Sequence, residues 1–102
     1  METKEFLAKI LSGQEVRPVV VEDGKCVMVC NLDENYLQSK LSNLSTTSKH
    51  LLRLRVGRMK KDAEYLFQHT KVGKNVTETE YEKRKQITLF WENAYGVCAK
   101  YW

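Results

Sequence analysis

A chain of 102 residues, 42% hydrophobic and 29% charged, is long enough for one core and too apolar to remain disordered. No apolar run approaches the ~20 residues needed to cross a bilayer, and three cysteines, an odd number, make no disulfide framework. The net charge of +4 is uneven: residues 1–48 carry five Lys/Arg against seven Asp/Glu, and residues 49–102 carry twelve against six. Such asymmetry points to an anionic partner.

In chain order, Thr3 is placed to cap a short helix from Lys4 to Ser12. Phe6, Leu7, Ile10 and Leu11 form its stripe, and Gly13 can end it in the left-handed turn. The run VRPVVVEDGKCVMVC then predicts a hairpin, because Asp23-Gly24 between β-branched segments suits a type I′ turn. That turn sets Val21 opposite Cys26, Val19 opposite Met28 and Arg17 opposite Cys30 on one side. On the other side Val20 meets Val27, Pro18 meets Val29 and Glu22 meets Lys25. Both faces are largely apolar, so both are expected to be covered. Pro18 favours an edge for the first strand, which leaves the far edge of the second free for another strand or a partner. Cys26 and Cys30 on one strand stand about 13 Å apart, too far for a disulfide, and read with Cys98 as free thiols.

Asn31 with Glu34 predicts a capping box for a short helix carrying Leu37, Leu41 and Leu44. Ser45-Thr46-Thr47-Ser48 interrupts it as a turn. The stretch from Lys49 to Thr70 follows as the central helix, with Leu52, Val56, Met59, Ala63 and Leu66 on one face. Leu51, Leu54 and Tyr65 fall elsewhere around it, which predicts cover on two sides. Gly57 costs ~1 kcal/mol in a helix interior and marks close packing or a weak spot. Lys71 to Glu78 reads as a loop around Gly73. Thr79 with Glu82 predicts a second capping box for the last helix, whose stripe is Ile87, Trp91, Ala94, Cys98 and Tyr101, flanked by Phe90 and Val97. The whole is a single domain, 1–102, of the α+β class: a short N-terminal helix, a two-stranded antiparallel hairpin, then a short helix and two longer helices packed around a central helix.

Function has to come from charge, since the sequence holds no catalytic motif, metal-ligand pattern or phosphate loop. Asp23, Asp33, Glu34 and Asp62 form no acid–base arrangement, and His50 and His69 have no ligand at metal spacing. The expectation is no enzyme, no cofactor and no metal. The run KHLLRLRVGRMKK is different: Lys49, Arg53, Arg55, Arg58, Lys60 and Lys61 come with no acidic residue until Asp62. Such a run is the footprint of a surface that meets phosphates. Against it, Arg58–Asp62 and Lys60–Glu64 are neutralising i,i+4 pairs, and the cations divide between an Arg53/Lys60 flank and an Arg55/Arg58 flank. Lys71 and Lys74 beside Gly73, and Lys83, Arg84 and Lys85 in the last helix, could assist, although Glu78, Glu80 and Glu82 dilute the latter.

A short helix, a Ser/Thr turn and a basic helix have the order of a helix-turn-helix, but the turn glycine is missing. A strand before two helices has the order of a ribbon-helix-helix, but the hairpin occupies the strand that would pair across a dimer. Neither family is assigned. Six of the ten aromatics lie from Tyr81 to Trp102, more than one stripe needs, which predicts a homo-oligomer or a protein partner. The chain is therefore expected to be a small basic regulatory or accessory protein, cytoplasmic and without a membrane segment, that binds nucleic acid, DNA or RNA. The alternative is a protein-binding module or inhibitor using the aromatic last helix or the free strand edge.

Overall fold

The computed structural model describes residues 1–70 and 76–101. Its order is α1 (Thr3–Ser12), β1 (Val19–Glu22), β2 (Lys25–Met28), α2 (Glu34–Ser42), α3 (Thr46–Gln68) and α4 (Glu78–Ala99). The α+β outline follows the sequence, helix by helix.

Gly13 ends α1 at φ 76°, in the left-handed region. Thr3 does not cap this helix; it lies inside it, after Glu2. Its hydroxyl accepts from the Asp33 amide at 2.8 Å and donates to the Asn31 carbonyl at 3.2 Å, tying α1 to the entry of α2. That entry is also where the first capping box shifts. Asp33 is the N-cap, accepting from the Asn35 and Tyr36 amides at 3.0 and 3.2 Å, whereas the Asn31 carbonyl is already engaged by Thr3. Glu34 instead accepts from Lys100 and Tyr101 at 3.0 Å each, and these bonds hold its carboxyl below its ordinary range.

The hairpin forms in the expected register, Val19 to Met28, Val20 to Val27, Val21 to Cys26 and Glu22 to Lys25. Asp23 and Gly24 take φ 51° and 74°, as a type I′ turn demands. The Val29 amide continues the pairing to the Pro18 carbonyl at 2.8 Å. The expected double cover is not met. The side of Val19 and Cys26 meets α4, where the Cys26 thiol reaches the Thr79 carbonyl at 3.6 Å, yet Val21 and Met28 on that side and Val27 on the other stay exposed.

Ser45 caps α3 by accepting from the Ser48 amide, so the helix starts three residues before Lys49. Leu52 and Val56 are fully buried and Met59 and Ala63 pack beside them. Leu54 and Tyr65 are 55% and 66% exposed and Leu51 is half-buried, while Leu66, expected on the buried face, is exposed near the end of the helix. α1 and α4 both lie against the Leu52/Val56 side, and among the described residues no helix or strand covers Leu54 and Tyr65 on the other. At α4, Thr77 and Thr79 each have a glutamate three residues on. Thr77 is the N-cap, accepting from the Glu80 amide, and Thr79 lies inside the first turn with its carbonyl near the Cys26 thiol.

The core sits where α1, α2, α3 and α4 converge. Phe6, Phe90 and Trp91 interlock with centroids 5.1–5.9 Å apart around Leu37, Leu41, Leu52 and Ala94. α4 touches α3, both strands and α2, so it shares the central place with α3. The two long helices run antiparallel. Arg84 donates to the Thr70 hydroxyl at 2.7 Å, Thr88 to the Ala63 carbonyl at 3.2 Å, and Tyr95 lies beneath Lys60. Cys26, Cys30 and Cys98 are free thiols, and burial pushes Cys98 up from 9.0 to about 11.

Candidate nucleic-acid interface

The basic residues of α3 do not share one surroundings. Arg55 turns inward, and its guanidinium donates to the carbonyls of Ile10 and Leu11 at 2.6 and 2.7 Å. Both lie in the last turn of α1, where carbonyls run out of intrahelical donors; that of Ile10 also accepts from the Gly13 amide at 3.2 Å. Arg55 thus serves as a cap for α1 and stands apart from the other cations of α3.

The other cations gather. Arg53, Arg58, Lys60 and Lys61 line a depression of about 590 Å³ with Leu54, Gly57, Asp62 and Tyr95. Gly57 and Tyr95 form its floor, since a methyl group built on Gly57 would lie 3.5 and 3.9 Å from two carbons of the Tyr95 ring. Lys60 stands 5.0 Å above that ring and 3.6 Å from Glu64. The pair expected between Arg58 and Asp62 is not formed among the described residues, so both side chains face the depression separately. The two flanks of the sequence reading therefore close into one site once Arg55 is removed from them. Lys49, one turn before Arg53, extends the same side of the helix toward its N-terminus.

The second cluster lies apart. Arg84 is held by Glu80 at 3.1 Å and by Thr70, while Lys83 is half-buried and Lys85 is exposed. With Thr70 opposite Arg84 and Lys60 opposite Tyr95, about 15 Å of helix separates this cluster from the depression. Lys71 and Lys74 lie outside the described residues.

Tyr95 is the member that the sequence reading missed as a site residue. Its position to one side of the α4 stripe, with a glycine on the facing helix, was the available signal. Phe90 and Trp91 lie in the core, Tyr81 packs against Phe67 at 5.2 Å, and Tyr101, just beyond α4, bonds Glu34. Among the described residues no three His, Cys, Asp or Glu side chains gather as metal ligands, and no helix is long and apolar enough to cross a membrane.

No family model, curated protein or solved structure matches this chain.

Proposed function

We propose that the chain is a small basic regulatory or accessory protein that binds nucleic acid through the outer side of α3. The observation that supports this reading is the depression over Gly57, where Arg53, Arg58, Lys60 and Lys61 meet with Asp62 as the single lining carboxylate. Planar guanidinium groups fork onto phosphate oxygens, and ammonium groups supply mobile point charges around them. Lys49 lengthens the track, and Lys83 and Lys85 offer a second foothold farther along the molecule. Arg55, bonded to the Ile10 and Leu11 carbonyls, and Arg84, bonded to Glu80 and Thr70, lie outside this depression and are assigned no contact in it.

Binding of this kind releases counterions, so affinity for DNA or RNA should fall linearly on a log–log plot against salt. Titration of labelled oligonucleotides across a salt series checks this. Absence of measurable binding at low salt overturns the reading.

A second reading, a protein partner or a homo-oligomer, is favoured by the hairpin. Val21, Val27 and Met28 are exposed on a two-stranded sheet, and exposed Leu89 lies beside Met28. Unpaired strand edges with apolar faces accept added strands.

A further inference from the structure

Beyond the depression, the exposed side of α3 carries a feature that phosphate binding alone does not use. Leu54, Arg58, Lys61, Tyr65 and His69 follow one another at intervals of four, three, four and four, so they make one lengthwise stripe. Tyr65 is 66% exposed and stands outside the core. Its ring meets His69 edge to face, with centroids 4.3 Å apart and planes at 77°. A T-shaped pair leaves at least one face of the tyrosine uncovered while fixing the ring's direction. The ring is thus a platform already oriented before anything binds, which lowers the entropy cost of using it.

We propose that the bound nucleic acid is single-stranded, with a base stacked on Tyr65 while Lys61 and Arg58 hold the neighbouring phosphates. This rests on the nucleic-acid reading above. Lys61 is one turn from Tyr65, about 6 Å along the axis, a separation on the scale of one nucleotide from phosphate to base. A duplex hides its ring faces in its own stack and offers only base edges in its grooves. Leu54 and Tyr65 are poor readers of those edges. A single strand presents a free face at every base, and cations interleaved with exposed aromatics are how such strands are held without sequence preference.

The test uses the full chain with labelled oligo(dT), oligo(U) and a duplex of equal length at low salt. Tyr65→Ala should weaken binding to one or both single strands roughly five- to hundred-fold and leave duplex binding unchanged. Its salt slope should match the parent's, since no charge is lost. Tyr65→Trp should keep the affinity. The parent's affinities for oligo(dT) and oligo(U) tell which strand is preferred. If the parent binds both forms and Tyr65→Ala changes neither, or weakens both equally, the single-strand inference is overturned and the phosphate reading stands. If the parent binds none of the three, both fall together.

Discussion

Arg55 and Arg58 stand three residues apart on one helix and meet different surroundings. Arg55 reaches carbonyls 44 and 45 positions earlier in the chain, and Arg58 opens onto the depression. Arg55→Ala should therefore destabilise the fold by about 1.5–3 kcal/mol, the usual loss for hydrogen bonds from a charged donor. Denaturant unfolding measures it, and a variant as stable as the parent would contradict the capping role. No local pattern could have separated these two arginines, because the acceptors of Arg55 become neighbours only after α1 and α3 dock. Cys98 gives a pH signature at the same scale. Its thiol is raised from 9.0 to about 11 by burial, so the fold keeps its proton where the unfolded chain gives it up. Stability from this group is complete below pH 9 and falls as pH rises toward about 11, by at most ~1.4 kcal/mol per unit. Comparing unfolding of the parent and Cys98→Ala at about pH 8 and about pH 10.5 isolates the effect. The gap between them should narrow at the higher pH; a constant gap would count against a buried thiol.

At the scale of elements, what was local was legible and what was tertiary was not. Asp23-Gly24 fixes the hairpin register without help from the rest of the chain, and the register forms as written. Both N-caps lie two residues from the expected ones, Asp33 rather than Asn31 and Thr77 rather than Thr79, because each site offers competing cap residues. The apolar residues of α3 were legible as a helix, but periodicity could not tell that Leu54 and Tyr65 would remain uncovered. Gly57 was visible as an anomaly, and its meaning came only with Tyr95. Since a methyl group there would sit at ordinary contact distance from the ring, packing does not require the glycine. Gly57→Ala should stabilise α3 by up to ~1 kcal/mol, the helix-propensity difference. A lower midpoint in denaturant would show instead that Tyr95 cannot accept the methyl group.

For the whole molecule, shape and charge run together. The principal extents are 47 × 25 × 22 Å and the radius of gyration is 14.5 Å, larger than the ~13 Å of a compact chain of this length, because the antiparallel α3–α4 pair is long. The acidic-leaning residues 1–48 supply α1, the hairpin and α2, and the basic half supplies that long pair. The charge asymmetry of the sequence is thereby an asymmetry in space. The most direct test of the account is the salt dependence of binding for the parent against a variant with Arg53→Ser, Arg58→Ser and Lys61→Ser. Arg55 stays in place so that α1 keeps its cap. The account predicts weaker binding to every sequence, with the log–log slope flattened by roughly 0.7–0.9 for each phosphate contact removed. A folded variant whose slope equals the parent's would contradict it.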